Sequence, residues 1–78
     1  MQRITGPYNG YFIVAKAFRI GNAWMGEAQI FPNRPESFDD TNWVAKLGGD
    51  WSNALSELDA IENAERVSRE RIEQFPPT

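Results

Sequence analysis

The side chains with chemistry in them are few, and each lacks the partner that would make it work. Ser37, Ser52, Ser56 and Ser68 offer hydroxyls, but the chain holds no histidine to take their proton. Lys16 and Lys46 cannot stand in as bases, since both fall in runs that read as strands. Cysteine is absent as well, which removes a thiol nucleophile, a disulfide framework and a thiolate zinc site. The lack of histidine also removes the usual base near neutral pH and the commonest transition-metal ligand. No catalytic residue is assigned, and the chain is not expected to be an enzyme.

Asp39-Asp40, with Glu36 and Asp50 nearby in sequence, form the one loop cluster of carboxylates. Oxygen ligands of this kind suit calcium or magnesium, yet the spacing fits no calcium-binding loop and reads as solvated acid. Gly48-Gly49-Asp50 ahead of a helix has the outline of a phosphate cradle. A lysine or arginine to complete it is missing, so a turn into the helix is the better reading. Neither metal nor cofactor is expected. The remaining lead is apolar: Phe12, Phe18 and Phe31 accompany Lys16, and aromatic side chains on a sheet beside a cation can stack single-stranded nucleic acid. Of the tryptophans, Trp24 and Trp51 read as anchors of a small core, with Arg19 placed for a cation–π contact with Trp24. Trp43, after a polar loop, has no assigned role.

What must position these residues is a hairpin over 11–31. Tyr11–Ile20 and the ends of Ala23–Phe31 are rich in β-branched and aromatic residues. Gly21-Asn22 between them suits a two-residue hairpin turn. Pairing Ile20 with Ala23 fixes the register and sets Lys16 opposite Glu27. One face then carries Ile13, Ala15, Ala17, Trp24, Gly26, Ala28 and Ile30. The other carries Phe12, Val14, Phe18, Ile20, Met25 and Phe31 around the Lys16–Glu27 pair.

Both faces are largely apolar, and one helix can cover only one of them. That helix spans about 55–75. Ala54, Leu58, Ile61, Ala64, Ser68, Ile72 and Phe75 recur near the 3.6-residue period. Ser52 or Asn53 could cap it, but Ser56 with Asp59 resembles a capping box. Pro76-Pro77 stops it. Glu62–Arg66, Glu65–Arg69 and Arg66–Glu70 form i,i+4 pairs on its wet side. The small floor of Ala15, Ala17, Gly26 and Ala28 lets a helix approach closely, whereas Lys16 and Glu27 would be costly to bury. The helix is therefore expected on the small-residue face. The other is left open as an interaction face of Phe12, Val14, Lys16, Phe18, Met25 and Phe31.

Elsewhere the sequence reads more loosely. Residues 1–7 read as flexible, with Gly6-Pro7 and Asn9-Gly10 as turns. Residues 32–42 read as a loop of prolines and Asx residues. Residues 43–47 alternate and could add a third strand, with Trp43, Ala45 and Leu47 on one side. The 78 residues make one small domain with no room for a deep pocket.

Charge divides the chain. Residues 1–34 set Arg3, Lys16, Arg19 and Arg34 against Glu27 alone, a balance of +3. Residues 35–78 set ten acids against Lys46, Arg66, Arg69 and Arg71, a balance of −6. The net charge of −3 lacks the basic excess on which phosphate binding draws. No apolar run is long enough to span a bilayer and no signal-like leader opens the chain, so a cytoplasmic location is expected.

Tyr8-Asn9-Gly10-Tyr11 entering a hairpin, a central Trp24 and an alanine-rich acidic helix from Ala54 to Ala64 resemble small uncharacterised bacterial proteins, a domain of unknown function. That resemblance implies a hairpin or short sheet followed by a C-terminal helix, and no activity. The layout is also similar to that of double-stranded-RNA-binding domains. Their N-terminal helix is missing here, and Glu57 and Asp59 replace the basic helix start.

The expectation is an α+β domain, an antiparallel sheet of two or three strands packed by one long C-terminal helix. Its expected role is a protein-interaction module. The partner is a second copy, as a homodimer, or another protein, bound through the open face. The rival is a weak single-strand nucleic-acid binder using that face with Lys16, Arg19 and Arg3.

Overall fold

A computed structural model describes residues 1–48 and 54–77. The expected positions of Asp50, Trp51 and the alternative caps Ser52 and Asn53 lie outside the described residues. The hairpin forms as its sequence dictates. Strand β2, Tyr11–Ile20, pairs antiparallel with β3, Ala23–Phe31, from Phe12↔Phe31 through Lys16↔Glu27 to Ile20↔Ala23. Gly21 takes φ +60° at the first central position, where a type II′ turn uses glycine.

The sheet has four strands in the order β1-β2-β3-β4, not two or three. Strand β1, Gln2–Tyr8, occupies the segment read as flexible, and pairs Gln2↔Lys16 through Thr5↔Ile13. Asn9 and Gly10 both adopt positive φ (51° and 86°), the geometry of a type I′ hairpin turn. The register shifts between Thr5 and Tyr8. There Gly6, at φ +122°, passes so close that a Cβ would lie 2.8 Å from the Tyr11 carbonyl oxygen. An edge strand with a register break tolerates Pro7, which has no N–H to donate. Strand β4, Ala45–Gly48, pairs with β3 two residues later than the alternation suggests, leaving Trp43 and Val44 exposed.

Helix α1, Glu57–Ile72, begins at the Ser56–Asp59 signature, where Ser56 Oγ accepts from the Asp59 amide at 3.1 Å. It lies on the small-residue face, as the alanine floor requires. Tyr11, Ile13, Ala15, Ala28, Ile30 and Leu47 form one core with Ile61, Ala64 and Ile72. After the helix the chain folds back: the Tyr11 hydroxyl donates to the Pro76 carbonyl at 2.6 Å, and its ring meets Phe75 at 5.4 Å.

Two helix positions depart from the expected stripe. Leu58 is 44% exposed, while Glu65 is buried. Both lie on the flank facing β1, and there Arg3 meets Glu65 with Nε at 2.8 Å and Nη2 at 2.5 Å. Glu65 thus serves the sheet edge rather than Arg69. Of the three expected i,i+4 pairs, Arg66–Glu70 forms, at 3.3 Å, and Arg69 lies over the Tyr8 ring instead.

Candidate interaction face

The second face of the sheet is best followed in rows, because antiparallel partners share a face. Starting at the end away from the Gly21 turn, the β2–β3 rows are Phe12–Phe31, Val14–Gln29, Lys16–Glu27, Phe18–Met25 and Ile20–Ala23. Ile4 joins the second row and Gln2 the third from β1. The six expected face residues therefore do share a surface. They do not share an environment.

The first two rows are covered by the chain itself. Val14 is fully buried, Phe31 is 1% exposed and Phe12 is half-buried. The helix is on the other side, and among the described residues the segment that meets this end of the face is 32–43. Pro35 is buried and Phe38 half-buried within it. Arg34 places its guanidinium 5.9 Å from the Phe12 ring centroid. Phe31 lines a cavity of about 270 Å³ together with Asn33, Arg34, Asp40 and Asn42 of that segment. The Val44 amide, donating to the Ile30 carbonyl at 2.8 Å, returns the chain to the sheet. Val14 and Phe31 consequently face their own loop, which corrects their placement on an open surface.

Asp40 organises the covering segment. Its Oδ1 accepts from the Asn42 amide at 2.9 Å and its Oδ2 from the Glu36 amide at 3.1 Å. These bonds, the Asn42 amide foremost, hold the Asp40 carboxyl below its ordinary value, because they favour the charged form. Its oxygens are thus engaged by backbone, and no group of three or more metal-binding side chains occurs among the described residues.

The last two rows are open. Phe18 is 40% exposed, Ile20 55%, and Met25, paired with Phe18, is half-buried. Lys16 and Glu27 border this patch, directly opposed in register, but the ion pairs among the described residues are formed elsewhere. The other cations of the basic half are committed. Arg3 is tied to Glu65, and this hydrogen-bonded pair raises the Arg3 pKa. Arg19 is on the helix-side face, 6.0 Å from the Trp24 ring as its spacing suggests.

Sequence reasoning missed Ile4 and Gln2 as members of this face, along with the covering role of 32–43. Asn9-Gly10 was the signal for the first, since that dipeptide strongly favours a hairpin. No helix among the described residues is long and apolar enough to cross a membrane. No protein-family model matches the chain, and no curated protein or solved structure shows significant similarity to it.

Proposed function

We propose that this chain is a non-enzymatic protein-interaction module that self-associates through the hairpin end of its second sheet face. The observation that carries the reading is the contiguous patch of Phe18, Ile20 and Met25, exposed or half-exposed on paired strands. Beyond the Lys16–Glu27 row the far end of that face is closed by residues 32–43, so the patch is not merely an unfinished core. Burying such a surface stabilises association by about 25 cal/mol per Å² before the costs of immobilisation.

Sedimentation of the wild type and of Phe18→Glu tests the reading. The wild type should gain mass with concentration and keep that behaviour at high salt, whereas Phe18→Glu should stay monomeric. Monomers in both proteins would remove the reading. If the monomer instead bound an oligonucleotide, with affinity falling steeply as salt rises and lost in Phe18→Glu, single-strand binding would take its place.

A further inference from the structure

We infer that Asn9-Gly10 is a site of spontaneous main-chain rearrangement, and that the rearranged turn loosens strand β1. The inference is independent of the self-association reading. Asn9 is the one asparagine of the sequence followed by glycine, so no Cβ hinders attack by the amide that follows it.

The structure places this pair where it can react. Asn9 is exposed, and Tyr8↔Tyr11 closes the ladder, which leaves the Gly10 amide outside the pairing. Asn9 borders a cavity of about 350 Å³ with Pro7, Tyr8, Arg69 and Glu73, which gives its side chain room to turn and admits water. The turn is also weakly backed. The register shifts between Thr5 and Tyr8, so a single pair stands between the turn and the break. The Gly21-Asn22 turn is instead backed by unbroken pairs from Ile20↔Ala23 to Phe12↔Phe31. Opening the Asn9 turn therefore costs less than opening the other.

In the reaction the Gly10 nitrogen gives its proton to water and bonds to Asn9 Cγ. The Cγ–Nδ2 bond breaks, and ammonia leaves after taking up a proton. Water then opens the cyclic imide at either carbonyl, giving aspartate or isoaspartate with no oxidation or reduction. Aspartate keeps the main chain and tolerates the positive φ of 51° that Asn9 holds. Isoaspartate routes the main chain through Cγ and so lengthens a turn whose two-residue span sets the register. Strand β1 pairs with β2 alone, so it loses that support, and Arg3 loosens its hold on Glu65 with it. Arg69 and Glu73 line the cavity with opposite charges, so charge favours neither product and the lengthened main chain decides the outcome.

The test incubates the folded wild type at mildly alkaline pH, then maps its peptides by mass and by isoaspartate-specific methylation. Asn9 should convert about tenfold faster than Asn22, whose successor Ala23 carries a Cβ. Conversion at Asn9 no faster than at Asn22 overturns the site. The isoaspartate form is then separated and compared by hydrogen exchange with Asn9→Asp. The Ala17 amide donates to the Met1 carbonyl at 3.0 Å, at the far end of the β1–β2 pairing. It should exchange several-fold faster in the isoaspartate form, with the Asp59 amide at the helix start unchanged. Equal protection of Ala17 in the two forms overturns the loosening of β1, and so does loss of protection at Asp59, which would mean that the whole domain had opened.

Discussion

The two faces of this sheet are closed by different means. Under the helix, a periodic row of side chains from Ile61 to Ile72 meets a floor of Ala15 and Ala28, and the core runs unbroken from Tyr11 to Leu47. On the other face the cover is an irregular segment anchored where β3 ends and β4 begins. It reaches the two rows nearest those anchors and stops before Lys16. A helix spreads its contacts over the length of a strand, whereas a loop covers what lies beside its own attachment points. The open Phe18–Met25 end is the remainder that this difference leaves.

The largest expected effect tests the helix side. Ile61 is fully buried, so Ile61→Ala should cost about 3 kcal/mol through lost transfer energy and a cavity. Ile20→Ala at the open end should stay within about 0.5 kcal/mol. Denaturant midpoints decide, and similar losses at both positions would break the contrast. Next in size is the tie between helix and edge strand. Arg3→Leu leaves the Glu65 carboxylate, 5% exposed, without its bidentate partner. Because Arg3 keeps its outer side in solvent, about 2 kcal/mol is expected, below the range for a fully buried pair. Arg66→Ala, which breaks only the exposed pair to Glu70, should cost less than about 0.5 kcal/mol.

Legibility in the sequence followed the same division. The 11–31 register and the helix face were readable because each rests on local periodicity, and the Ser56 start was one of three caps that short motifs left open. Strand β1 was not readable, since Gly6-Pro7 punctuates it and its order comes from pairing with β2 and from Arg3 reaching a residue far along the chain. Glu65 looked like half of a surface pair for the same reason. The cover over Val14 and Phe31 was beyond periodicity altogether. Asp40 closes that segment with two backbone amides, and nothing in the spacing of Asx residues says which surface a closed loop will lie on.

A smaller effect sharpens the contrast at adjacent positions of β3. Gln29, on the second face beside Val14, is 8% exposed, and its Oε1 has no hydrogen-bond partner among the described residues. Replacing such an acceptor by an apolar group of similar shape is neutral or favourable, so Gln29→Leu should change stability by ~0 to 1 kcal/mol in the stabilising direction. Ala28→Leu, one residue away on the helix side, should destabilise by about 1–3 kcal/mol through overpacking. Opposite signs at neighbouring residues, read from melting midpoints, would show that the two layers differ in tolerance. Equal losses would mean the loop packs as tightly as the helix.

The smallest expected effect is local and concerns Asp40. Its folded carboxyl titrates below the ordinary value of 3.8, so its contribution is fully present above that value. As pH falls through 3.8 toward the folded pKa, the open form of the segment takes up the proton first and the contribution is lost. Hydrogen exchange at the Glu36 and Asn42 amides should therefore accelerate, relative to the intrinsic rate, below that pH. The Asp59 amide is a control, because its acceptor is the Ser56 hydroxyl, which does not titrate there. Asp40→Asn should remove the acid-dependent step at Glu36 and Asn42 while leaving the global midpoint near that of the wild type. If Asp59 lost protection together with the loop amides, opening would be global, and the covering segment could not be treated as a separate layer from the helix side.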